Sequence, residues 1–138
     1  MAREIRTEAM VVDVLCAFLA KEGYRVRTEV PNMGQSMDVG ATRNRWFTAI
    51  EAKLRDWRSA FGQCRAHELV ADFICVAVGT KSVSPLLLQE ATSKGYGVIH
   101  VNLATGQCSW AERPQRNERV WSAQRRRLSA NLRGIEHV

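Results

Sequence analysis

Asp38, Glu51 and Lys53 are the residues whose types and spacing suit chemistry. Glu51 and Lys53 lie two apart near the end of the stretch 46–55, Trp-Phe-Thr-Ala-Ile-Glu-Ala-Lys-Leu-Arg. Its first half is aromatic and β-branched, as in a strand buried on both faces. Side chains alternate along a strand, so Glu51 and Lys53 share one face while Ile50, Ala52 and Leu54 take the other. A carboxylate and an ammonium at the end of a buried strand are costly to desolvate unless they pair or hold a ligand. The spacing alone decides little, because a chain of this composition holds roughly 0.4 acid-x-Lys matches by chance. A plain salt bridge at a strand end is the competing reading.

Asp38 shifts that balance. Residues 36–42 read as a second short strand, and Arg43-Asn44 as a tight turn into the main strand. With the turn at 43 and 44, Asp38 lies opposite Ala49, on the face of Glu51 and Lys53 and diagonal to Glu51. A slip of one residue would turn Asp38 to the wrong face. Two carboxylates converging beside a lysine suit a divalent cation with oxygen ligands.

The elements that must position these groups follow from the rest of the chain. Its 138 residues fit one domain with a real core, and 46% hydrophobic and 25% charged residues are ordinary for a globular protein. Asp13 interrupts the only early apolar stretch, so no signal-peptide pattern is present, and no run approaches transmembrane length. Cys16, Cys64, Cys75 and Cys108 form no CxxC pair and lie mostly in apolar segments. They read as reduced core residues of a cytoplasmic protein, not as a zinc site. A net charge of +6 and a pI near 9.6 suit a polyanionic partner such as nucleic acid, and serve plain solubility as well.

Residues 7–22 form an amphipathic helix with the stripe Met10, Val11, Val14, Leu15, Phe18 and Leu19, and Gly23 caps its end. Glu8 falls at the edge of that stripe, either leaning towards the site or solvated in the first turn. Residues 24–30 alternate as a strand, followed by a turn over 31–34. Asp56 caps a helix over 57–70, which carries Gln63 and His67 along one edge. His67 reads as a helix-edge hydrogen-bonding residue before it reads as a ligand. Strands over 72–78 and 97–101 flank a helix that opens at Ser84-Pro85 and ends at Lys94-Gly95. Residues 107–111 make a short edge strand. Three strands with tight connections, then strands separated by helices, imply an α/β fold with a mixed sheet flanked by helices. From Glu112 to Val138, seven arginines stand against three glutamates. A helix over 117–132 there has Val120, Trp121, Leu128 and Leu132 as apolar contacts. Its Arg125, Arg126 and Arg127 serve either as DNA contacts or as a solvated face. The whole reads as one domain over 1–138, with a core near 5–102 and a basic helical extension over 103–138.

Asp38, then Glu51-Ala52-Lys53 on the next strand, then Gln63 on the following helix resemble the PD-(D/E)-x-K nuclease superfamily, with its restriction-endonuclease-like fold. The resemblance covers about 7–101. Within the superfamily, the strand-to-Gln spacing is similar to Holliday junction resolvases of archaeal type and to RecB-type nuclease domains. It implies that Asp38, Glu51 and the backbone carbonyl of Ala52 hold Mg²⁺ or Mn²⁺, with Glu8 as a further candidate. Lys53 would orient or activate the attacking water, and Gln63 would line the site. Met37 replaces the name-giving proline, and His67 stands where RecB-type domains carry tyrosine. The implied activity is a metal-dependent DNA endonuclease. RNA is an alternative substrate, and the chain would act as a homodimer or as a subunit of a larger DNA-processing complex. A non-catalytic nucleic-acid-binding subunit on the same fold is the rival reading.

Overall fold

The computed structural model describes residues 5–32, 34–119, 126–130 and 132. Its elements are α1 (Glu8–Lys21), β1 (Arg25–Asn32), β2 (Gln35–Arg43), β3 (Trp46–Lys53), α2 (Trp57–Arg65), β4 (Phe73–Val78), α3 (Pro85–Lys94), β5 (Gly97–Asn102) and β6 (Gln107–Glu112). The six strands lie in one sheet in chain order. β3, β4 and β5 pair in parallel, while β1–β2, β2–β3 and β5–β6 are antiparallel. This is the mixed sheet expected for an α/β protein, and it is consistent with a restriction-endonuclease-like fold.

Helices cover both faces of the sheet. Val11, Leu15 and Leu19 of α1 are fully buried against Val39, Ile50, Ala52, Ala77 and Ile99. On the other face Trp57, Ala60, Phe61 and Cys64 of α2 and Leu87 of α3 pack over Phe47, Ala49, Val76 and Val98. Each fully buried side chain of this size stabilises the fold by about 2 kcal/mol relative to exposure. The central strands β3 and β4 are buried on both sides, which explains their almost unbroken apolar sequence. The helix caps are those read from the sequence: Thr7, Asp56 and Ser84 accept from the first-turn amides, and Gly95 (φ 74) closes α3 in the left-handed region. All four cysteines are free, with Cys64 and Cys75 buried. Among the described residues no helix is long and apolar enough to cross a membrane.

Four local expectations are corrected. The β2–β3 turn is Asn44-Arg45, since Arg43 pairs with Trp46. Asn44 takes φ 57 there, a left-handed conformation that asparagine tolerates. β1 continues through Pro31 and Asn32, which pair with Ser36 and Gln35, so the strand runs past the expected start of the turn at 31. Proline fits because β1 is an edge strand with one side unpaired. α2 stops at Arg65, not Val70, and residues 66–70 continue as looser turns. The carbonyl of Ala66 is taken by the side chain of Asn32 at 3.0 Å instead of extending the helix. Finally, of the helix expected over 117–132, residues 117–119 are not helical, and residues 120–125 and 131 lie outside the described residues. Asn117 is pinned there by its backbone N–H to Asp72 (2.6 Å) and by its amide to the Glu68 and Ala71 carbonyls. Helical residues are found at 126–130, where Leu128 is buried in the core beneath α2 and α3.

Candidate active site

The corrected hairpin register brings the two predicted carboxylates closer. Val39 pairs with Ile50 as the last step of the β2–β3 ladder, so the next position in register sets Asp38 opposite Glu51. The shift from the expected register is two residues, which preserves the face. Past the ladder's end the Asp38 side chain replaces a strand partner, and its Oδ2 accepts the Ala52 N–H at 2.8 Å. The N–H and C=O of a strand residue point the same way, so the Ala52 carbonyl also faces this side.

Glu51 is fully buried, and its Oε1 lies 2.6 Å from His67 Nε2. His67 is fully buried too, with Nδ1 3.1 Å from Asn32 Nδ2. The same Asn32 nitrogen donates to the Ala66 carbonyl, which fixes the amide orientation. Nδ1 of His67 therefore accepts, and Nε2 carries the proton donated to Glu51; the hydrogen-bond network assigns this tautomer. Burial holds the Glu51 carboxyl above the ordinary carboxylate range. The His67 hydrogen bond opposes that rise, while the Asp38 carboxyl reinforces it.

Lys53 Nζ lies 3.9 Å from Glu8 Oε1 across the end of the strand, with Lys53 mostly buried. Glu8 thus leans towards the site. Lys53 pairs with Glu8, and Glu51 takes a hydrogen bond from His67, so a simple Glu51–Lys53 salt bridge is not what this strand end builds. Gln63 on α2 is half-buried, one helical turn before His67. Three buried oxygens of this constellation accept no hydrogen bond: Glu51 Oε2, Gln63 Oε1 and Asn32 Oδ1. Buried acceptors without donors are costly, and a cation beside Asp38 would relieve Glu51 Oε2.

The donor set of Asp38, Glu51 and the Ala52 carbonyl fits Mg²⁺ or Mn²⁺ in kind. It is all oxygen, and Mg²⁺ is usually bound by one or two carboxylates with water and substrate phosphate completing its octahedron. Among the described residues no group of three or more His, Cys, Asp and Glu side chains forms a protein-only metal cage. Of the three arginines set apart for DNA, Arg125 lies outside the described residues, while Arg126 and Arg127 are exposed beside the buried Leu128. Sequence reasoning missed Asn32; it read His67 as a hydrogen-bonding residue, which it is, but on a helix edge and not buried beyond the end of α2. The usable signal was the Gln-x-x-x-His spacing, which sets His67 one turn beyond Gln63. Asn32 gave none, because it read as a turn residue.

No protein-family model and no curated protein matches the sequence. Among solved structures, a protein of unknown function from Silicibacter pomeroyi superposes with a TM-score of 0.74 at 15% identity, over 98% of this chain and 89% of that one. An XisH family protein from Nostoc punctiforme gives 0.53 at 13% identity, over 73% of this chain and 98% of that one. An fdxN element excision controlling factor protein from Anabaena variabilis gives 0.56 at 14% identity, over 74% and 98%. At these identities the likeness is one of fold: a mixed sheet with flanking helices, shared with XisH family proteins over about three quarters of this chain.

Proposed function

We propose that this chain is a metal-dependent nuclease that hydrolyses phosphodiester bonds in DNA, cutting as an endonuclease. The observation that carries the reading is the buried Glu51, set opposite Asp38 with one carboxylate oxygen unpartnered and a mostly buried lysine two residues on. Asp38, Glu51 and the Ala52 carbonyl would hold Mg²⁺ or Mn²⁺, which when bound supplies charge neutralisation at the phosphoryl oxygens and lowers the pKa of water. Asn32 orients His67, and His67 holds Glu51 Oε1, so Oε2 is left facing the site. Lys53 presents a compact ammonium that orients the attacking water and balances charge at the phosphate. Glu8 steadies that ammonium from α1. Gln63 offers an amide oxygen without a donor, suited to accept a hydrogen bond from a water or sugar hydroxyl.

The test is cleavage of linear, single-stranded, flapped and four-way DNA, and of RNA, by purified protein with Mg²⁺ or Mn²⁺. Cleavage that Glu51→Ala abolishes supports the reading. Absence of cleavage of every substrate with either metal removes it. A second reading then takes over, that of a non-catalytic nucleic-acid-binding subunit. It is favoured by one observation, that a structural neighbour is described as an excision controlling factor.

A further inference from the structure

Beside the candidate site, at the edge where β3 and β4 end, a cavity of about 490 Å³ is lined by Arg6, Leu54, Arg55, Gly79, Thr80 and Lys81. Three of the six lining residues are cationic and none is acidic. Two acids close to the lining residues in sequence are engaged elsewhere. Glu8 lies against Lys53, and Asp56 caps α2 through Ser59. Among the described residues neither Arg55 nor Lys81 has a salt-bridge partner.

The backbone around the cavity is fixed from several directions. The Gly79 N–H bonds the Lys53 carbonyl at 3.0 Å, tying this wall to the strand that carries Glu51 and Lys53. A Cβ at Gly79 would come within 2.8 Å of Val11, so glycine is what lets α1 close over the wall. His100 Nε2 lies 2.7 Å from the Thr80 carbonyl, which accepts its hydrogen bond, and Thr80 Oγ1 donates to Ser82 at 2.7 Å. Arg55 and Lys81 are exposed at this cavity, so their two charges are open to an anion that enters it.

We propose that this cavity seats a backbone phosphate of the nucleic acid, next to the phosphate being cut. The inference rests on the nuclease reading for its position relative to the cut. Arg55 follows Lys53 by two residues, so its Cα is at most about 7 Å away. Phosphates of one strand rise about 3.4 Å per nucleotide along the axis and lie farther apart through space, so that reach is the distance to a neighbouring phosphate. The volume equals about 16 water molecules, ample for a phosphodiester with its first hydration shell. Arg55 supplies a bidentate fork and Lys81 a point charge.

The test is anisotropy of a labelled 20-nucleotide strand and of its duplex with the intact protein, in EDTA and over a series of salt concentrations. Each phosphate contact contributes about −0.9 to the slope of log K against log[salt]. Arg55→Gln/Lys81→Gln should flatten the slope by about 1 to 2 and weaken binding at low salt about tenfold or more. Arg55→Lys/Lys81→Arg should restore it. Lys21→Gln/Lys94→Gln, which removes two charges at the ends of α1 and α3, should leave the slope near that of wild type. An unchanged slope in the Arg55/Lys81 variant overturns the proposal, as does equal flattening by the Lys21/Lys94 pair or no binding by wild type. Repeating the titration with 5′-phosphorylated and 5′-hydroxyl strands separates the two sources of phosphate. If the loss is confined to strands with a terminal phosphate, the cavity reads an end and the backbone proposal falls. Because no metal is present, these outcomes are independent of cleavage. Binding with the expected slopes but no cleavage would sink the nuclease reading alone, and cleavage with unchanged slopes would sink only the phosphate seat.

Discussion

Glu51→Gln should make the metal-free protein more stable at pH 8, although it destroys the proposed site. The amide is isosteric and its oxygen still accepts from His67 Nε2, where the wild-type distance is 2.6 Å. What disappears is a buried negative charge next to Asp38. Residues opposed across an antiparallel pair have Cβ atoms about 5 Å apart, and two unit charges at that distance repel by about 3 kcal/mol at an effective dielectric of 20. Replacing the carboxylate weakens the His67 hydrogen bond by about 1 kcal/mol, the difference between charged and neutral acceptors. The net gain is about 2 kcal/mol, or roughly 8 °C in Tm for a domain of this size. The pH dependence carries the sign. The folded Glu51 pKa lies above its ordinary 4.5, chiefly through burial. Between those two values the folded state binds more protons than the unfolded one, so wild-type stability falls as pH rises through the window. The variant lacks that loss, and its advantage should grow as pH rises from 4.5 through the raised folded pKa and then level off. Thermal melts in EDTA across that range measure it. Mg²⁺ at a hundredfold excess over its Kd should then restore about 2.7 kcal/mol to wild type and much less to the variant. A variant less stable than wild type at pH 8, or a gap independent of pH, would refute the argument. Either result would mean that Glu51 is held as the partner of a charged His67, against the tautomer that Asn32 imposes.

Other expectations follow from the same geometry. Asp38→Ala should abolish metal-dependent cleavage while far-UV circular dichroism stays native, at a cost of about 1 kcal/mol for the lost Ala52 N–H bond. Lys53→Ala should lose cleavage yet keep Mg²⁺ binding by calorimetry; loss of both would remove Lys53 from its assigned role. Gln63→Ala should lower kcat by less than either carboxylate change, and equal loss would make it a ligand. Leu128→Ala should cost about 2–5 kcal/mol in a urea titration, since its side chain is buried in the core. Arg126→Ala/Arg127→Ala should leave stability unchanged and, if these exposed side chains meet DNA, flatten the salt dependence of binding.

The sheet was legible because its signals are local and repeated. Apolar runs at 46–53, 73–78 and 97–102 sit between caps such as Asp56 and Ser84-Pro85, and each cap fixes a boundary by its own hydrogen bond. The hairpin register was off by two because Arg43-Asn44 and Asn44-Arg45 are both plausible turns by composition. What decides between them is which position asparagine occupies when it takes positive φ. The false helix over 117–119 arose from a polar, arginine-rich stretch with helical propensity. Tertiary hydrogen bonds from Asn117 to the start of β4 override it there.

The site divides along the same line. Asp38, Glu51 and Lys53 were readable because strand alternation and one tight turn link them over 16 positions. Asn32 and His67 are joined by a hydrogen bond across 35 positions, and no short-range pattern encodes that meeting. Yet they decide how the carboxylate is used. Without His67 both oxygens of a fully buried Glu51 would lack donors, and the cost of the charge would fall on the carboxylate alone. With His67 locked as a donor by Asn32, one oxygen is satisfied and the other is left to the site. A sequence can therefore announce the groups that react while concealing the groups that aim them, since aiming needs only one well-placed donor from anywhere in the chain.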